Sequence, residues 1–222
     1  MRTANFVAFQ GPQFAVLSED ELQKLHLGAL EVLRRTGVRF HHQEALDMLE
    51  EAGAFVSEGN LVRFPSRLVE EALTSAPKRV VMCDRDGEPA MILEGQNVYF
   101  GTGSDCLNLL DYETGRPREF TRDDLVSGYH LCDALPNIDF VMSIGIPANV
   151  DPSLAYDVQM ALMLEHTTKP IVFVTDDLAS CRRAIDMAAA VAGDHEALRE
   201  QQHILLYSEP SSPLQQSKTA VD

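Results

Sequence analysis

One phrase recurs along this chain: a short apolar strand, a polar tip of Gly, Ser, Asp or Glu, then a helix. It occurs as Val98-Tyr99-Phe100 before Gly101-Thr102-Gly103-Ser104-Asp105, and as Ile138-Asp139-Phe140-Val141-Met142 before Ser143-Ile144-Gly145. It returns as Ile171-Val172-Phe173-Val174 before Thr175-Asp176-Asp177, and as Ile204-Leu205-Leu206-Tyr207 before Ser208-Glu209-Pro210. Strands alternating with helices imply parallel pairing joined by crossovers. Parallel α/β folds carry their chemistry at the carboxyl ends of the strands, where these tips fall. Few residues follow the fourth tip, so the series reads as cut off.

Four such units do not close a barrel, which takes eight strands and roughly 250 residues. A complete doubly wound sheet would not ordinarily stop at a strand and a polar tip, and two unpaired edges would remain. The expected fold is therefore α/β: a partial (β/α)8 TIM barrel of about four units. A small open four-stranded sheet is the alternative. Ahead of the units lies an α+β region of helices and hairpins. The boundary is drawn near residue 95, giving residues 1–95 and 96–222.

Local signals fill in the elements. After an irregular lead-in over residues 1–17, Ser18-Glu19-Asp20-Glu21 is a capping box, and Leu22, Leu25, Ala29, Val32 and Leu33 follow at helical spacing to Gly37. A second helix through Ala45, Met48 and Leu49 ends at Gly53, and Pro65-Ser66 opens a third over 66–75. Asp84-Arg85-Asp86-Gly87 marks one hairpin turn and Glu113-Thr114-Gly115-Arg116-Pro117 another. Thr121 and Asp124 box a helix to about Leu135. Pro152-Ser153 opens the next, and Asp176 or Asp177 caps a helix running to Gly193.

Composition bounds the partners. A formal net charge of −16 argues against nucleic acid, which needs a basic footprint. Cys83, Cys106, Cys132 and Cys181 form no CxxC pair and no zinc-spaced cluster. The opening residues show no signal-peptide apolar run, and no stretch reaches 18 apolar residues. The expectation is a reduced, cytoplasmic protein with no membrane span.

Leu17-Ser18-Glu19-Asp20-Glu21-Leu22, His26, Ala29-Leu30-Glu31-Val32-Leu33 and Gly37-Val38 resemble the opening of the trimethylamine methyltransferase family, which includes glycine betaine:corrinoid methyltransferases. The likeness continues through Ala52-Gly53-Ala54, Val62-Arg63-Phe64-Pro65, Ala76-Pro77, Gly101–Asp105 and Arg118-Glu119-Phe120-Thr121 to Ser208-Glu209-Pro210-Ser211-Ser212-Pro213-Leu214. It spans essentially the whole chain and corresponds to the N-terminal half of a family about twice as long. The resemblance implies methyl transfer from a methylated amine to the Co(I) of a corrinoid carried by a partner protein, with no cofactor bound directly. A chain of these strands alone is expected to be inactive by itself.

A quaternary ammonium has no N–H to donate, so its site needs aromatic faces, apolar walls and carboxylates. On that implication Glu209 after the fourth strand is the first candidate. Its plainer reading is a carboxylate pinned by amides of its own Ser/Pro-rich loop. Asp105 and Ser104 follow the first strand in a Gly-rich tip, with a tight Asx turn as the alternative. Asp176 reads equally as a cap. Ser143 lines the mouth by being small, and Tyr207 is the aromatic nearest a strand end. Tyr99, Phe100, Phe140 and Phe173 read as core. No catalytic residue, catalytic histidine or metal ligand is assigned. Two other readings compete: a non-catalytic truncated binding or assembly module forming a homo-oligomer through its edges, and a metal-assisted hydrolase using Asp105, Asp176 and Glu209.

Overall fold

A computed structural model describes residues 14–221. Most of the lead-in, residues 1–13, lies outside that range. The helices are α1 (Glu19–Arg35), α2 (Gln43–Glu51), α3 (Ser66–Ser75), α4 (Arg122–Ala134), α5 (Ala155–His166), α6 (Leu178–Ala192), α7 (His195–Glu200) and α8 (Lys218–Val221). The strands are β1 (Val38–Phe40), β2 (Phe55–Ser57), β3 (Leu61–Arg63), β4 (Val80–Cys83), β5 (Pro89–Leu93), β6 (Asn108–Leu110), β7 (Pro117–Glu119), β8 (Ile171–Phe173), β9 (Ile204–Leu206) and β10 (Gln215–Gln216).

The chain packs as two compact units. Of the described residues, one holds 14–77 together with 208–221; the other is Lys78–Tyr207. In the first, β10, β1, β3 and β2 form a four-stranded sheet. Its small core is Leu46, Ala54 and Val62 under Phe40, Leu49, Val56, Phe64 and Leu68. The capping box closes the start of α1, where Ser18 Oγ accepts from the Glu21 N–H and the Glu21 carboxylate accepts from the Ser18 N–H. Gly37 takes φ +77° past its end, and an added Cβ would strike the Val62 carbonyl. The His42 ring accepts from the Ala45 N–H and caps α2. The parallel pairing of β10 with β1 has no counterpart in the local sequence pattern.

In the second unit four segments lie side by side in chain order. Parallel bridges join Gly101 to Phe140 and Val141 to Ile171, and β8 pairs parallel with β9 in the register Ile171 to Ile204. The hairpin β6–β7 with α4 links the first two segments, α5 the second and third, and α6 with α7 the third and fourth. Helices α4, α5 and α6 pack in sequence. The main core gathers Leu125, Tyr129, Val141, Met160, Leu162, Met163, Ile171, Phe173, Ala184 and Ala188. The architecture is mixed α/β, with no closed barrel among the described residues.

The last two expected strands form as β8 and β9. The first two do not become ladders, because polar side chains take the hydrogen bonds that backbone would make. Asp139 Oδ2 accepts from the Phe100 N–H at 2.8 Å, and Thr102 Oγ1 accepts from the Met142 N–H at 2.8 Å. Gly101 permits the approach, since a Cβ there would run into the Phe140 ring. Hairpin β4–β5 forms around Gly87, and Thr121 with Asp124 boxes α4 as its residue types require. A short 3-10 turn, Pro152–Leu154, precedes α5. Among the described residues no helix is long and apolar enough to cross a membrane.

Candidate functional site

Two polar tips interlock at the carboxyl ends of the first two parallel segments. The Ile144 N–H donates to the Gly103 carbonyl, the Cys106 N–H to the Ile144 carbonyl, and the Ile146 N–H to the Cys106 carbonyl, at 3.0–3.1 Å. Two non-glycine residues sit in the left-handed region within this clasp: Asp105 at φ +55° and Ile144 at φ +60°. Asp tolerates that conformation, whereas a β-branched residue rarely adopts it. Such positions cost about 1–3 kcal/mol each and persist only where their surroundings hold them. Ile144 is the centre of a three-residue turn in which the Gly145 N–H donates to the Ser143 carbonyl at 2.6 Å.

The turn aims a hydroxyl at a carboxylate. Ser143, buried at 1% exposure, donates from Oγ to Asp105 Oδ1 at 2.7 Å, and the Asp105 N–H donates back to Ser143 Oγ at 3.3 Å. Asp105 Oδ2 carries no protein hydrogen bond among the described residues. The carboxylate is thus half locked and half available. From α4, the buried Tyr129 hydroxyl donates to the Ser143 carbonyl at 3.0 Å. Burial first, then the negative charge of Asp105, holds the Tyr129 phenol far above its ordinary pKa, so it stays a donor. From α5, the buried Gln159 amide donates to the Gly145 carbonyl at 2.7 Å.

Tyr156 lies near the start of α5. Burial raises its pKa, and the charges of Asp105 and Asp176 raise it further, so its ring lies in the field of both carboxylates. Asp176 is exposed and makes no hydrogen bond or ion pair among the described residues. The cap of α6 is its neighbour Asp177, whose carboxylate accepts from the Ser180 N–H at 2.6 Å. Asp157 is committed elsewhere, bonded to Ser180 Oγ and Arg183 Nε at 2.8 Å each.

The site residues expected from the sequence divide accordingly. Asp105 and Ser143 are joined by the hydrogen bonds above, Asp176 lies in the tip ahead of α6, and Ser104 is half-buried in the same tip as Asp105. Tyr207 sits just past β9, its N–H donating to the Phe173 carbonyl. Glu209 is exposed, in the segment that packs with the first unit. Tyr129, Tyr156 and Gln159 are absent from the sequence-based set, since helical spacing assigns such positions to core packing. Among the described residues no three of His, Cys, Asp and Glu are grouped as metal ligands would be. The arrangement offers a half-available carboxylate beside a small hydroxyl, groups suited to a cation.

Comparison with known proteins adds the lineage. Residues 2–222 match the family described as trimethylamine methyltransferase (MTTB). The chain is 32% identical over 216 residues to the trimethylamine methyltransferase MttB of Desulfitobacterium hafniense, covering 97% of this chain and 44% of that protein. It is 30% identical over 227 residues to MttB of Methanosarcina barkeri, covering 98% of this chain and 45% of that protein. A glycine betaine methyltransferase of Desulfitobacterium hafniense is 23% identical over 206 residues, covering 91% and 42%. The chain spans about half the length of the curated relatives it matches.

Proposed function

The chain belongs to the trimethylamine methyltransferase family, and from that premise we propose that it serves methyl transfer from a methylated amine to a corrinoid held by a partner protein. The substrate is trimethylamine, glycine betaine or a similarly methylated amine. A Co(I) corrinoid supplies the nucleophile when its carrier docks. This chain's own residues bind and orient the cation. The observation that carries the reading is the half-locked Asp105, with Oδ1 held by Ser143 and Oδ2 left for a positive charge. Asp176 adds attraction at longer range, and the half-buried Tyr156 is the proposed aromatic face for N-methyl groups. Ser104 and Tyr207 complete the proposed binding set.

On this reading the four parallel segments are the first units of a (β/α)8 barrel. The consecutive order of the bridges and β8–β9 supports it, and the first three tips then share one mouth. The described residues 14–95 precede it in sequence as the proposed α+β region. The four free thiols accord with a reduced, cytoplasmic setting.

The test has two arms. Titration of the chain with trimethylammonium, tetramethylammonium and glycine betaine, followed by isothermal calorimetry, should show binding that Asp105→Asn weakens about tenfold or more. Adding Co(I) cobalamin and each amine to the chain, and to a full-length relative, should bleach the Co(I) absorbance in the relative at least. No amine bound by the chain and no bleaching in either protein would defeat the assignment.

A further inference from the structure

Resting on Asp105 as the amine-binding carboxylate, we propose that Tyr129 and Gln159 are positioning residues that hold it through the Ser143–Gly145 turn. Neither side chain contacts Asp105 through a hydrogen bond. Each ends on a carbonyl of the same three-residue turn, from a different helix, at 3.0 and 2.7 Å.

The physical argument begins with cost. Both side chains are buried to 1% exposure or less, where a polar group loses its water and must find a partner. Leu125 and Cys132 on α4, and Met160 and Met163 on α5, fill the neighbouring core with apolar groups. A leucine or methionine at either site would pack with no such requirement. The polar choice becomes intelligible at the turn. With Ile144 at φ +60°, the Gly145 carbonyl leaves the regular ladder and needs a donor from elsewhere, while the Ser143 carbonyl, which accepts from the Gly145 N–H, has a second lone pair open to another. Tyr129 and Gln159 supply them and pin both ends of the turn.

Pinning the turn fixes the direction of Ser143 Oγ, and that hydroxyl is the protein hydrogen-bond donor to the Asp105 side chain among the described residues. Released, the Ile144 backbone would relax toward negative φ and carry Ser143 away from Asp105. The carboxylate would then sample several rotamers, and part of the cation's binding would be spent on ordering it. The proposal assigns to α4 and α5 a task beyond core packing: setting one carboxylate's orientation at a distance.

Amide hydrogen exchange by NMR reads the turn without any ligand. In Tyr129→Phe, and in Gln159→Leu, exchange at Cys106, Ile144 and Ile146 should accelerate about tenfold, with the interior amides of α4 and α5 unchanged. Tetramethylammonium affinity should fall about fivefold in Tyr129→Phe. A double-mutant cycle separates positioning from general loosening: in a Ser143→Ala background, Tyr129→Phe should weaken affinity no further. Unchanged exchange at those three amides overturns the proposal. So does an equal affinity loss in both backgrounds. Undiminished binding in Asp105→Asn, or no binding by the unaltered chain, removes the amine reading instead, and the exchange rates then decide the positioning alone.

Discussion

The two pairs of parallel segments in the second unit are built in opposite ways. In β8 and β9 the ladder is backbone to backbone, and all three residues of β8 are buried. Between segments 98–102 and 138–143 one backbone bond, from the Asp139 N–H to the Phe100 carbonyl, is joined by side chain-to-backbone bonds through Asp139, Thr102 and Ser143. A regular ladder aims its side chains by alternation and demands only apolar bulk from the sequence. A stitched pair spends specific polar groups on its own backbone and obtains side-chain directions that alternation does not give. Stability should concentrate in the first kind of pair and recognition in the second.

The largest effect should follow from emptying the ladder pair. Phe173, 2% exposed, lies in β8 within the main core. Phe173→Ala should cost about 3–5 kcal/mol, the transfer loss plus the cavity left behind. Urea denaturation measures it. A cost under about 1 kcal/mol would mean that the site collapses freely and that β8 is not where stability resides.

A middle effect tests the stitching. Thr102→Val keeps the shape and removes the oxygen that serves the Met142 N–H and donates to its carbonyl. The orphaned amide should cost about 1–3 kcal/mol, and Thr102→Ser should restore most of it. In a plain ladder strand valine would be neutral or better. A neutral Thr102→Val would therefore erase the distinction between the pairs.

The same contrast explains what could be read from the sequence. The boxes Ser18–Glu21 and Thr121–Asp124, the caps at Gly37 and Asp177 and the two hairpins are local, each decided within about five residues, and they form as expected. Segments β8 and β9 were legible because an uninterrupted apolar run suffices for a buried ladder. The run Ile138–Met142 looks similar, yet its partners Phe100 and Thr102 lie about 40 residues away and meet it through side chains. No short-range pattern encodes that. Tyr129 and Gln159 fall at helical spacing among apolar residues, so periodicity assigns them to the core; their hydroxyl and amide ends depend on a turn in another segment. Asp105 and Ser143 were accessible because the tips at strand ends are informative by position.

The smallest effect on stability should come from Asp176→Asn, and it is the most informative about the site. Asp176 is exposed and bonds to nothing among the described residues, so the fold should change by no more than about 0.5 kcal/mol. Its charge is nevertheless felt at Tyr156 together with that of Asp105. If it acts only through its field, Asp176→Asn should lower tetramethylammonium affinity about threefold at 10 mM salt, and the loss should largely vanish by 500 mM as the charge is screened. Asp105→Asn should keep most of its loss at the higher salt, because a contact made on one locked oxygen is replaced poorly by solvent ions. A loss in Asp176→Asn that survives 500 mM salt would show that both carboxylates touch the cation. The third tip, at the end of the regular ladder, would then recognise as directly as the stitched pair does, and the division of labour between the two would fail.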